Sequence, residues 1–159
     1  LSSDISYLIN RSNYLKNGVL VHGGGWKKLE RLKIDNKTFK KKIYSNYKIK
    51  NIYNYYGLIE QTGSIFIECP ECLSFKCSIF SDVIIRDKNL KVVKKDNEIG
   101  LLQIMSTVPT SYPGNIILTE DLAEFTNQKK CQKCKNYKGK RFIIHGRMKN
   151  SEIRGCANT

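Results

Sequence analysis

Six cysteines stand at positions 69, 72, 77, 131, 134 and 156, and four of them form two pairs of the type Cys-x-x-Cys: Cys69-Pro-Glu-Cys72 and Cys131-Gln-Lys-Cys134. Each pair presents two sulfurs on one side of a tight knuckle, and two knuckles complete a closed tetrahedron around Zn²⁺ with Zn–S distances of about 2.3 Å. No secretory leader precedes them, so disulfides are disfavoured and a four-thiolate zinc site is favoured. Cys69, Cys72, Cys131 and Cys134 are the expected ligands. Four thiolates leave no open position for substrate, so the expected role is structural. The 58 residues between the pairs are too many for a compact finger, so such a site would clamp two distant hairpins. The competing reading is four free thiols, two of them packed in the core.

Four other segments carry residue types suited to chemistry. In His22-Gly23-Gly24-Gly25, three consecutive glycines let backbone N–H groups approach a ligand closely, although a strand-to-helix turn alone can also require them. Tyr55-Tyr56-Gly57-Leu58-Ile59-Glu60-Gln61-Thr62-Gly63 ends a strand on aromatics, a glycine and a carboxylate. An aromatic face can stack on a base, and a carboxylate can hold Mg²⁺ beside phosphates. Equally, Glu60 can be a solvated strand-end residue. Leu118-Thr119-Glu120-Asp121-Leu122 places an acidic pair at a strand end in a lysine-rich chain. The pair can chelate ribose hydroxyls or a metal, or pair with surface lysines for only about 0–1 kcal/mol. In the tail, His145-Gly-Arg147 and Glu152-Ile-Arg154-Gly-Cys156 set a lone thiol among cations, which lowers a thiol pKa and makes it nucleophilic.

The elements that must position these residues divide the sequence in two. Residues 1–63 read as the end of an α/β subdomain. Residues 1–16 have helical spacing, Gly18–Val21 reads as a short buried strand, and His22–Gly25 as the turn at its carboxyl end. Trp26 to about Lys42 is helical with an interruption at Asp35–Lys37, and Ile49–Tyr55 is a second strand. Strand, glycine turn, helix is the half-motif whose strand ends gather ligands. Residues 64–159 read as a β-rich, barrel-like subdomain, with short strands expected at Ser64–Cys69, Ile79–Arg86, Leu90–Lys94, Leu101–Ser106, Asn115–Thr119 and Arg141–His145. Asp87-Lys-Asn89 and Asp96-Asn97 are expected hairpin turns. The fold class is therefore α/β to α+β.

Composition narrows the partners. The 159 residues carry 28 Lys+Arg against 14 Asp+Glu, a net charge of +14, which attracts phosphates, nucleotides and acidic proteins. Lysine supplies 22 of the 28 basic residues. Arginine makes most bidentate base contacts, so this bias weighs against nucleic acid. No apolar run approaches the length of a membrane span. The absence of a leader points to the cytoplasm.

Taken in order, His22-Gly-Gly-Gly-Trp-Lys27, Tyr56-Gly-Leu-Ile-Glu-Gln-Thr-Gly63, Phe80-Ser-Asp-Val-Ile-Ile-Arg86, Pro109-Thr-Ser-Tyr-Pro-Gly114, Leu118-Thr-Glu-Asp-Leu122 and Glu152-Ile-Arg-Gly-Cys156 resemble the carboxyl-terminal part of the acyl-protein synthetases of bacterial bioluminescence operons (the LuxE family), within the adenylate-forming superfamily. The resemblance implies that a fatty acid carboxylate attacks the α-phosphate of ATP to give acyl-adenylate and pyrophosphate. The acyl group then passes to a protein cysteine, and from there to a partner acyl reductase that makes aldehyde. It further implies that Tyr56 stacks on adenine, that Gly23, Gly24, Gly25 and Gly57 are further cofactor-binding residues, and that Glu60 ligates Mg²⁺. Asp121 would bind the ribose hydroxyls, and Arg147 would reach the ribose or phosphates. Lys149 falls at the superfamily's hinge position, and Cys156 at the acyl-carrying cysteine.

Two departures accompany the match. Ile59 stands where many adenylating enzymes have a threonine on the α-phosphate, and Glu120 replaces the glycine before the ribose-binding aspartate. The phosphate loop rich in Ser, Thr and Gly is not in this sequence, so the expectation is a fragment that cannot adenylate alone. Two alternatives remain open: a related ligase that delivers its adenylate to coenzyme A or a carrier protein, and a zinc-stabilised basic module that binds nucleic acid.

Overall fold

The computed structural model describes residues 15–24, 31–110, 113–127 and 131–148. The chain falls into two compact units, Leu1–Asn54 and Tyr55–Thr159. Among the described residues, no helix is long and apolar enough to cross a membrane.

In the first unit, strand β1 (Val19–Gly23) is followed by helix α1 (Asn36–Tyr47) and by strand β2 (Asn51–Tyr56), whose last two residues belong to the second unit. α1 starts where a short polar residue can replace the missing helical acceptors. Asp35 caps it, and its Oδ1 accepts the Thr38 N–H at 3.0 Å. The Thr38 hydroxyl, which donates to Oδ2, and then that N–H hold the Asp35 carboxyl below its ordinary pKa. The helix ends at Lys48, which adopts φ 58° while its N–H returns to the Tyr44 carbonyl at 2.9 Å. The anticipated interruption near Asp35 is therefore the helix start, and the helix extends past Lys42 to Tyr47. β1 forms close to the predicted place but is not buried: Val19 is 61% and Val21 53% exposed. Its apolar residues reported strand propensity rather than a core position. The helical reading of residues 1–16 falls almost wholly outside the described residues, as does Trp26.

The second unit is β-rich. Strands β3 (Phe66–Glu68), β4 (Phe75–Lys76), β5 (Ser81–Arg86), β6 (Gly100–Ser106), β7 (Ile116–Phe125) and β8 (Arg141–Arg147) follow the end of β2. Their order in the sheet is β2-β3-β4-β8-β7-β6-β5, and every one of these pairings is antiparallel. Five of the six strand expectations for this half correspond to strands. Leu90–Lys94 does not, since only Val92 bridges, to Arg86. The Asp87 turn explains why: its Oδ1 accepts the N–H groups of Asn89 and Lys91, both at 2.8 Å, and Leu90 takes φ 61°. β4 was not anticipated, because two residues between Ser74 and Cys77 carry no readable alternation.

Alternating inward residues build the core: Val83 and Ile85 of β5, Leu102 and Ile104 of β6, Ala123 of β7 and Phe142 of β8 are all inaccessible to solvent. An aromatic group closes one end. Phe66 and Phe142 meet edge to face with centroids 5.3 Å apart, and Phe75 lies 5.7 Å from Phe142. The Tyr56 ring joins them at 6.1 to 6.4 Å. Phe142 touches all three of the other rings, so Phe142→Ala removes aromatic pairs and leaves a cavity together. We expect it to cost about 3–5 kcal/mol in urea unfolding. A loss below about 1 kcal/mol would show that this cluster does not carry the fold.

Candidate nucleotide site

β7 and β8 bring together side chains that are 26 positions apart in sequence. Their register sets Asp121 opposite Arg147 and Leu122 opposite Gly146, and then jumps so that Ala123 faces Ile144. His145 is thus an extra residue on β8, a β-bulge that re-aims the strand next to the Asp121–Arg147 pair. Gly146 adopts φ +109°, a conformation that side chains resist, which is why the bulge falls on glycine.

The Asp121 side chain is 15% exposed and has a partner for each oxygen. Its Oδ2 accepts the Tyr56 hydroxyl at 2.7 Å, and its Oδ1 lies 3.8 Å from Arg147 Nε. Arg147 also reaches Glu120, Nη2 to Oε2 at 3.3 Å. The strand beneath is held by Thr119, whose hydroxyl donates to the Leu102 carbonyl at 2.7 Å and accepts the Asp121 N–H at 3.1 Å. Burial, and then the Asp121 charge, push the Tyr56 hydroxyl far above its ordinary pKa, although Arg147 opposes the shift. Tyr56 therefore remains a neutral donor. A carboxylate offers about four lone-pair positions, so Asp121 keeps acceptor capacity for ligand hydroxyls. The Tyr56 ring packs near Phe66, Phe75 and Phe142, and the residue is half-buried.

From Tyr56 the chain turns through Gly57 into a single turn of 3₁₀ helix, Ile59–Gln61. A Cβ at Gly57 would stand 3.2 Å from the Ser64 carbonyl oxygen, so the turn closes tightly there. Glu60 projects outward, exposed and without a partner among the described residues. Its neighbour does the opposite. Gln61 is fully buried and its Nε2 donates to the carbonyls of Gly114 at 2.8 Å and Asn115 at 3.2 Å. Gln61 thus ties the Glu60 turn to the segment that leads into β7 and Asp121. The sequence contained this residue without disclosing its role. The only signal was an amide beside a carboxylate in a glycine-bounded turn.

Gly23 ends β1 in the first unit and Gly24 follows it with φ +84°, while the His22 ring packs 4.7 Å from Phe39. Burial and then Lys40 hold His22 below its ordinary pKa. Gly25, Lys149 and Cys156 lie outside the described residues. Cys77 is buried and its thiol is pushed up to about 12, chiefly by burial. It is consequently inert at neutral pH. The four cysteines of the two Cys-x-x-Cys turns come together, with all their sulfurs within 4.8 Å of one another.

Comparison with known structures identifies the fold. The chain is similar to McyG A-PCP complexed with phenylalanyl-adenylate (20% identity, TM-score 0.56, 91% of this chain and 25% of that one). It is also similar to the luciferase-like enzyme from the nonluminescent Zophobas morio mealworm (18%, TM-score 0.52, 84% of this chain and 32% of that one). A third likeness is to apo MatB from Rhodopseudomonas palustris (12%, TM-score 0.52, 82% of this chain and 26% of that one). The chain thus spans between a quarter and a third of the length of these proteins, and its fold is that of part of an adenylate-forming enzyme. No curated protein gives a match. The family described as acyl-protein synthetase, LuxE, matches residues 4–159, nearly the whole sequence, and the chain belongs to that family.

Proposed function

We propose that this chain supplies the nucleotide-binding residues of an ATP-dependent fatty acid–protein ligase, acting in the cytoplasm. The observation that carries the reading is the convergence of Tyr56, Asp121 and Arg147 through a hydrogen bond of 2.7 Å and an ion pair of 3.8 Å, three residues that the family resemblance had separately assigned to one nucleotide. Asp121 binds the ribose hydroxyls through the acceptor capacity left by Tyr56 and Arg147. Tyr56 stacks its ring on the adenine. Arg147 sets positive charge beside the sugar and phosphates, and Gly57 is a further nucleotide contact. Lys149 takes the hinge position.

In the first step a fatty acid carboxylate oxygen attacks the α-phosphorus. The bond to the β-phosphate oxygen breaks, and pyrophosphate leaves with its electron pair. The residues present suit a Mg²⁺ ion, because the Glu60 carboxylate is exposed and engaged by no described residue. When bound there, the ion would offset phosphate charge. In the second step the Cys156 thiolate attacks the acyl carbon, a C–S bond forms, and AMP leaves. An acyl reductase is the proposed recipient of the acyl group.

The test uses the intact protein with radiolabelled fatty acid, ATP and Mg²⁺. We expect fatty-acid-dependent ATP–pyrophosphate exchange and label on the protein that neutral hydroxylamine releases. Exchange without protein label would reassign the acyl group to coenzyme A or a carrier protein. Absence of both activities at every chain length would remove the adenylating function.

A further inference from the structure

The two Cys-x-x-Cys turns lie outside the nucleotide site. Cys69 and Cys72 belong to the turn between β3 and β4, and Cys131 and Cys134 to the connection from β7 to β8. Across the turns, Cys69 Sγ lies 3.7 Å from Cys131 Sγ, and Cys72 Sγ lies 3.6 Å from Cys134 Sγ. A regular tetrahedron of sulfurs at about 2.3 Å from a central Zn²⁺ has edges of roughly 3.8 Å. A disulfide would need about 2.05 Å. The spacing therefore fits four sulfurs around one ion and does not fit two cross-links. Three of the four cysteines are buried and Cys72 is half-buried.

The backbone arranges both knuckles. The Leu73 N–H donates to the Cys69 carbonyl at 2.9 Å with Leu73 at φ 59°, and the Cys69 N–H donates to the Ser74 carbonyl at 2.8 Å. In the second knuckle the Cys134 N–H donates to the Cys131 carbonyl at 3.2 Å. Glu71, inside the first pair, joins the two. Its carboxylate accepts the N–H groups of Gln132 at 3.1 Å and Lys133 at 3.4 Å. This contact fixes one knuckle against the other without using the thiols, so the sulfurs converge on a prepared centre.

We propose that Cys69, Cys72, Cys131 and Cys134 bind one structural Zn²⁺ ion that clasps the β3–β4 hairpin to the β7–β8 connection. The clasp has a mechanical task. β4 is only Phe75 and Lys76, which pair with Phe142 and Arg141. A two-residue strand supplies few ladder bonds, and it joins β2–β3 to β8-β7-β6-β5. A tetrahedral metal next to it holds that junction shut. Four thiolates fill the coordination shell, so no position is left for a substrate or a reactive water. The inference is independent of the adenylation chemistry.

Metal analysis of the intact protein, purified under reducing conditions, is expected to give about one zinc per chain. Cys69→Ser and Cys134→Ser should each lose the ion and melt at a lower temperature, whereas Cys77→Ala should keep it. If the serine variants fail to fold, titrating the wild-type protein with a mercurial thiol reagent gives the same answer. Zinc should then leave in proportion to four blocked thiols. Protein without zinc that takes up none when Zn²⁺ is added would overturn the proposal. So would iron in its place, or full zinc content in Cys69→Ser.

Discussion

Asp121→Ala is expected to lower ATP–pyrophosphate exchange by about 10²–10³-fold, the range found when one preorganised polar contact is removed from a charged reacting site. The reason lies in what surrounds the carboxylate. Asp121 accepts the Tyr56 hydroxyl at 2.7 Å and faces Arg147 at 3.8 Å, so its removal releases both partners as well as the proposed ribose contact. Tyr56→Phe separates the two effects, because it deletes the hydroxyl bond and keeps the ring. We expect Tyr56→Phe to retain most of the exchange and Asp121→Ala to raise the KM for ATP while the protein remains folded by circular dichroism. If Tyr56→Phe proved as damaging as Asp121→Ala, the carboxylate would be a structural partner of the tyrosine and not a ribose ligand. Wild-type exchange in Asp121→Ala would remove its assigned role altogether.

Strand positions in the second unit were legible because alternation is a period-2 signal, and β5, β6 and β8 begin within two residues of the places that it marks. β4 was not legible, since its two residues acquire strand geometry only from Phe142 and Arg141, which follow 65 or more positions later in the chain. The same distinction runs through the site. Asp121 and Tyr56 could be named from local strings, but the hydrogen bond between residues 65 apart belongs to the sheet. The bulge at His145 and Gly146 that sets Arg147 opposite Asp121 is likewise a property of two strands at once. Gln61 was hidden for a different reason. A glutamine in a polar turn looks solvated until Gly114 and Asn115 supply the carbonyls that bury it. The paired cysteines were the opposite case. Their spacing alone implied a common centre, and the four sulfurs do converge.

Cys156→Ser is expected to abolish hydroxylamine-releasable acyl label completely while ATP–pyrophosphate exchange continues. The two half-reactions separate chemically. Adenylation joins a carboxylate oxygen to phosphorus and needs no thiol, whereas transfer needs a nucleophile that displaces AMP from the acyl carbon. A thiolate serves because its pKa can be brought near neutrality by adjacent cations, and Arg154 stands two residues away. A serine hydroxyl at the same place stays protonated without a general base. Any acyl group that it did accept would be an oxygen ester, which resists neutral hydroxylamine. Cys77→Ala is the matched control: that thiol is buried and pushed up to about 12, so its loss should leave the label in place. Undiminished hydroxylamine-sensitive label in Cys156→Ser would move the acyl acceptor to another cysteine.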